Sequence, residues 1–184
     1  FAQDATIVLH ASQALDGRGR SLGDVDIVVA NGKIARVGPR GTVPSGAREI
    51  DLRGRTVLPG LIDAHIHFDQ SGDVFTRPDA VDLRAVRPYA EELAWTKERV
   101  SLTLMRYLAS GVTSVVDMGG PLWTFEVREL ANKTVNAPRV AVAGPLIPTA
   151  AEKPLADTDP PVIVAATPEM ARDLVRKNAD RHPD

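Results

Sequence analysis

Over residues 4–58 apolar and polar positions change place every one or two residues, in short β-rich runs separated by turn residues. Thr6-Ile7-Val8-Leu9 is the first such run and stops before Asp16-Gly17-Arg18-Gly19, a turn-rich segment. Val25-Asp26-Ile27-Val28-Val29 resumes, followed by Asn31-Gly32 and then Lys33-Ile34-Ala35-Arg36-Val37. Two β-rich runs around Asn-Gly predict a hairpin, because both residues tolerate the positive φ of a type I′ turn. Gly38-Pro39 ends it. A second strand pair is expected at residues 48–52 and 56–58, turning at Arg53-Gly54-Arg55. Such a module of about 55 residues holds a thin core and needs further strands or a neighbour.

After Pro59-Gly60 the period changes. Leu61-Ile62-Asp63-Ala64-His65-Ile66-His67 reads as a strand running into polar residues. One helix is expected over residues 89–109, with Leu93, Val100, Leu104 and Leu108 on its apolar face and Glu91, Lys97 and Arg106 in water. Gly111 stands where a left-handed C-cap belongs. Residues 112–116 form a second strand, 122–135 a second helix and 139–143 a third strand. Residues 146–166 have no clear period. Thr167-Pro168 then opens a last helix as N-cap and N1, with Met170, Leu174 and Val175 on its buried side. The repeat strand–helix, strand–helix, strand–loop–helix is an α/β pattern with parallel strands. The stretch from residue 60 to 184 is about half of the roughly 250 residues that a closed eightfold barrel needs. The expected organisation is therefore a β module over 1–59 and three βα units over 60–184, followed in a larger protein by a fourth strand.

Composition narrows the classes. The 184 residues carry 22 Lys and Arg against 24 Asp and Glu, a net charge of −2, with no sustained basic stripe, so a nucleic-acid partner is not expected. No apolar run reaches the roughly 18–20 residues of a membrane helix. There is no cysteine, so any metal must be held by His, carboxylates or a modified Lys. The chain begins Phe1-Ala2-Gln3-Asp4 rather than with Met, which reads as the start left by a removed signal peptide and suggests a periplasmic or secreted protein; a trimmed chain is the alternative.

His65 and His67 are the sharpest chemical feature. Two apart at the C-terminal end of a strand, they leave the same side while Ile66 points away. Such strand ends carry the sites of α/β proteins. The pair can serve one divalent ion, Zn²⁺ best, as part of a set of three or four ligands; otherwise it is two polar residues in a strand-end loop. Asp63 either orients a ligand histidine through its other ring nitrogen or caps the strand start. Asp69 and Gln70 read as a solvated loop within reach of substrate. Asp117 ends the second strand on the same rim, either positioning substrate or a histidine or turning the chain before Gly119-Gly120. His10 and His182 read as surface residues. Gly119-Gly120 lacks the spacing of a dinucleotide fingerprint, and there is no phosphate loop or Gly-x-Ser-x-Gly elbow.

The run Gly54-Arg55-Thr56-Val57-Leu58-Pro59-Gly60-Leu61-Ile62-Asp63-Ala64-His65-Ile66-His67 resembles the start of the barrel in the amidohydrolase superfamily. Residues 26–38 are similar to that family's N-terminal sandwich hairpin. Gly111-Val112-Thr113-Ser114-Val115-Val116-Asp117-Met118-Gly119-Gly120 resembles the second barrel strand of the branch containing imidazolonepropionase and Xaa-Pro dipeptidases, and Ala143-Gly144-Pro145-Leu146-Ile147 the third. The resemblance implies a metal-dependent TIM barrel, of which this chain carries the first three βα units after part of a composite β-sandwich. His65 and His67 would be the first two ligands of one or two zinc ions. A Lys or Glu on the fourth strand, histidines on the fifth and sixth and an Asp on the eighth would lie elsewhere, in a longer chain or a second polypeptide. Such enzymes hydrolyse amide or ester bonds with metal-activated water, and the distant Asp passes the proton to the leaving group. A small-molecule substrate, a dipeptide among the candidates, and a homo-oligomer are the other partners implied. This chain alone would be inactive. Thr149-Ala150-Ala151-Glu152 replaces the Gly-Gly-His stretch often seen after the third strand, which leaves the branch open. The alternative is a non-enzymatic scaffold of the same fold, against which the retention of both histidines argues.

Overall fold

Asp16 closes the first hairpin: one carboxylate oxygen accepts the N–H groups of Arg18 and Arg20 at 2.8 and 3.0 Å. In this computed structural model, which describes residues 6–76, 81–150 and 158–184, that turn joins β1 (Ile7–Leu15) to the antiparallel β2 (Ser21–Ala30). The Phe1 start behind the export expectation, residues 77–80 of the first long loop, and Ala151-Glu152 lie outside the described residues. Asn31 and Gly32 both take positive φ, 52° and 69°, and return the chain into β3 (Lys33–Pro39). The sheet order is β3-β2-β1-β4.

The expected second hairpin does not form. Residues 48–57 make one strand, β4 (Arg48–Val57), parallel to β1. Ile7 to Ala11 pair with Arg48 to Leu52, the register slips, and Gln13 and Ala14 then pair with Thr56 and Val57. Arg53-Gly54-Arg55 is absorbed as a bulge in which Gly54, at φ 79°, donates its N–H to Ser12 Oγ at 2.9 Å. A long neighbouring strand thus outweighs the local turn signal. Leu9 opposite Ile27 and Ala11 opposite Val25 build the apolar face, with Ala14, Leu22, Val29 and Val57 packed on it. The residues from Phe1 to Pro59 form one compact unit and those from Gly60 to Asp184 another.

In the second unit three parallel strands, β5 (Leu61–Ile66), β6 (Val112–Asp117) and β7 (Arg139–Val142), lie in the order β5-β6-β7. The stretch 89–109 is two helices, α1 (Tyr89–Glu98) and α2 (Val100–Ala109). Arg99 divides them at φ −100° and ψ 4°, where its N–H bonds Thr96 O three residues back, a 3₁₀-type tightening. The buried face runs through the break as Tyr89, Glu92, Thr96, Val100 and Leu104. Gly111 follows at φ 83°, the expected left-handed cap. The next helix, α3 (Thr124–Asn132), starts two residues later than expected, and the Asp159 carboxylate accepts the N–H groups of Leu122 and Trp123 just before it at 2.6 and 3.1 Å. Ile66, Val115, Val140 and Val142 from the strands meet Val100, Leu104, Phe125, Val127 and Ala131 from the helices in one core.

The last helix, α4 (Pro168–Ala179), begins as read: Thr167 Oγ1 accepts the Met170 N–H at 3.2 Å with Pro168 in the first turn. Its expected buried side does not hold. Met170 and Val175 are exposed and Leu174 is only half-buried, and the helix is instead tied by Asn178, whose side-chain amide donates to Ala143 O at 2.8 Å. The chain is thus a mixed α/β protein, and parallel pairing puts the C-terminal ends of β5, β6 and β7 on one edge.

Candidate metal centre

The edge where β5 and β6 end carries His65, His67 and Asp117. The two imidazoles lie edge to face, with ring centroids 5.2 Å apart and Nε2 atoms 3.2 Å apart. His67 Nδ1 lies 2.6 Å from the carbonyl oxygen of Gly119. A carbonyl only accepts, so Nδ1 carries the proton and Nε2 of His67 is the bare nitrogen. With metal–nitrogen bonds of about 2.1 Å, two nitrogens at 3.2 Å subtend about 100° at one ion, close to a tetrahedral angle. The pair therefore fits a shared divalent ion as two of its ligands. Among the described residues no group of three or more His, Asp or Glu side chains is placed to hold one.

Asp117 is fully buried, and its carboxylate bonds backbone: one oxygen accepts the Gly119 N–H at 3.1 Å, the other the Phe68 N–H at 3.3 Å. Burial holds its carboxyl above the ordinary range, against the pull of those two N–H groups and of His67. Each oxygen thus faces a main-chain N–H in a site closed to solvent.

The other sequence candidates fall out differently. Asp63 accepts the His65 N–H at 3.2 Å, two residues on within β5, rather than reaching a ring nitrogen or capping the strand start. The ring of His67 is oriented instead by the Gly119 carbonyl, which side-chain reading missed; the only signal was a Gly-Gly pair one residue beyond a strand-end Asp. Asp69 is buried rather than solvated. Gln70 is half-buried, its N–H on His67 O at 3.3 Å, and with His67, Ser71, Trp95 and Tyr107 it lines a cavity of about 110 Å³. His182 is exposed, as expected. His10 is not a free surface residue: its Nδ1 lies 2.8 Å from Asp26 and its Nε2 2.8 Å from Glu49, clamping β2, β1 and β4 together. No helix among the described residues is long and apolar enough to cross a membrane.

Comparison with known proteins places the chain among hydrolases. An imidazolonepropionase of Pseudomonas entomophila is 35% identical over 128 residues, 58% of this chain and 31% of its own. A dihydroorotase of Syntrophus aciditrophicus is 37% identical over 67 residues, 36% of this chain and 16% of its own. Among solved structures, a Xaa-Pro dipeptidase with bound methionine in the active site superposes with a TM-score of 0.69 at 24% identity, covering 98% of this chain and 46% of that one. The Aspergillus niger ochratoxinase gives a TM-score of 0.71 at 22% identity, with 97% and 45% covered. The chain thus spans under a third of those curated relatives and under half of those structures. The amidohydrolase family matches residues 56–182, most of the chain and the whole of the edge that carries the two histidines, and the chain belongs to that family.

Proposed function

We propose that this chain is the N-terminal part of a metal-dependent hydrolase of amide or ester bonds, and that His65 and His67 hold its divalent ion, zinc, through their Nε2 atoms. The observation that carries the reading is the 3.2 Å separation of those atoms, with the His67 proton parked on Nδ1 against a carbonyl. On this reading β5, β6 and β7 are the first three strands of an eightfold barrel, whose remaining strands bring the other ligands and the proton-accepting Asp. The partner is then the rest of the barrel. A bound ion supplies a water of lowered pKa for attack on a carbonyl carbon. This chain's own residues hold the ion's site: His65 at the exposed strand end, His67 half-buried and locked in one tautomer. Relatives named imidazolonepropionase and dihydroorotase and a neighbour named Xaa-Pro dipeptidase support a small cyclic or linear amide as substrate, a dipeptide first among them.

The test uses the full-length protein. Dialysis against a chelator should abolish hydrolysis of a panel of Xaa-Pro dipeptides and small cyclic amides, zinc should restore it, and His65→Ala or His67→Ala should prevent the recovery. Hydrolysis that survives chelation and both substitutions overturns the metal assignment, and a wild-type protein that binds no metal and hydrolyses nothing overturns the reading in favour of a scaffold.

A further inference from the structure

We propose that Asp117 is a positioning residue for the metal-facing nitrogen of His67, acting through the Gly119 main chain; the inference rests on the reading of His65 and His67 as ligands. Four hydrogen bonds make the case. Asp117 takes the Gly119 N–H at 3.1 Å and the Phe68 N–H at 3.3 Å, and so joins the residue after His67 to the loop beyond β6. Gly119 then presents its carbonyl oxygen to His67 Nδ1 at 2.6 Å. The amide of that same Gly119–Gly120 peptide donates to Gly144 O at 3.2 Å, beyond the end of β7. The carbonyl is therefore held along its own axis from behind, and laterally by the carboxylate.

This arrangement fixes two variables of the His67 ring at once. A carbonyl acceptor admits only the Nδ1–H tautomer, which leaves the Nε2 lone pair for the ion, and the short contact fixes the ring's rotation so that Nε2 faces His65. The carboxylate is fully buried and bonded to the main chain, and that burial separates this role from contact with substrate. An Asn in its place brings an amide NH₂ against one of the two N–H donors. Donor then faces donor in a buried site, and either Gly119 or the chain after His67 must turn away.

The experiment uses the full-length protein carrying Asp117→Asn. Zinc affinity, measured by competition with a chromophoric chelator, is expected to fall about 10–100-fold, the range typical of partners that orient a ligand histidine. The second readout is the tautomer: ¹⁵N-histidine NMR of the metal-free protein above the imidazole titration range should show His67 protonated on Nδ1 in the wild type and a mixture in the variant. Val25→Ala, a core change in the other compact unit, is the control for lost stability; it should leave both readouts in place. Unchanged affinity in Asp117→Asn, or an Nε2–H tautomer at His67 in the wild type, overturns the proposal. If Asp117→Asn does not fold, an Nε2–H tautomer in the wild type still overturns the proposal. If His67→Ala binds zinc as tightly as the wild type, it is the assignment of the ligands that fails.

Discussion

Replacing His10 by Gln should remove a stabilisation that depends on pH in a defined direction. His10 sits in β1 between the buried Asp26 of β2 and Glu49 of β4, with Arg36 of β3 a further 3.7 Å from Asp26. The hydrogen bond with Asp26, then that with Glu49, raises the His10 pKa above 6.5 against a smaller pull from burial. Asp26 moves the other way: burial pushes it up, but the Gly41 N–H and His10 outweigh burial and hold it below 3.8. The signs follow from linkage. A raised histidine contributes fully below its unfolded value and loses the contribution as pH rises through the folded one. A lowered carboxylate contributes above its unfolded value and fails only as pH falls through the folded one. The clamp is therefore complete between about pH 4 and 6.5. The Asp26 bond is a buried charge-assisted one, worth roughly 1.5–2 kcal/mol, whereas the half-exposed Glu49 bond adds only a few tenths. Urea unfolding of the full-length protein at pH 5.5 and pH 9 should show His10→Gln destabilised by about 2 kcal/mol at the lower pH and by much less at the higher. A difference that stays constant with pH, or grows as pH rises, would refute the reasoning.

Two substitutions test the packing that places the site. In Gly60→Ala the new Cβ would lie 2.1 Å from Thr113 Oγ1 and 2.7 Å from Thr113 Cβ, so the start of β5 must move off β6 at a cost of about 1–3 kcal/mol; Thr113→Ala on that background should recover only part of it in the same urea titration. Glu92→Ala removes the buried carboxylate that receives Arg87, which also reaches Asp73 at 3.1 Å. Because Arg87 stays in contact with water, the loss should be about 2 kcal/mol rather than that of a fully buried pair, together with faster amide exchange around residue 73.

The sequence was most legible where one short segment carries its own physics. Asn31-Gly32, Thr167-Pro168 and Gly111 each set a backbone angle or a cap locally, and each stands where it was read. His65 and His67 were legible because strand alternation alone puts them on one side. What failed depended on distant partners. A parallel neighbour straightened residues 48–57 into one strand through a bulge, which no local turn signal announces. His10 looked like a surface residue because its partners lie 16 and 39 positions away. The break at Arg99 leaves the apolar period intact, so periodicity reads straight through it. Gly119 contributes a carbonyl, a group that every residue owns and no pattern marks.

The central claim is that His65 and His67 share one ion. Crystallography of the full-length, zinc-loaded protein with anomalous data across the zinc edge tests it directly. The account predicts an anomalous peak about 2.0–2.1 Å from Nε2 of both histidines, with His67 Nδ1 still at hydrogen-bond distance from the Gly119 carbonyl oxygen. A peak held by other residues, or His67 turned so that Nδ1 faces the ion, would contradict it.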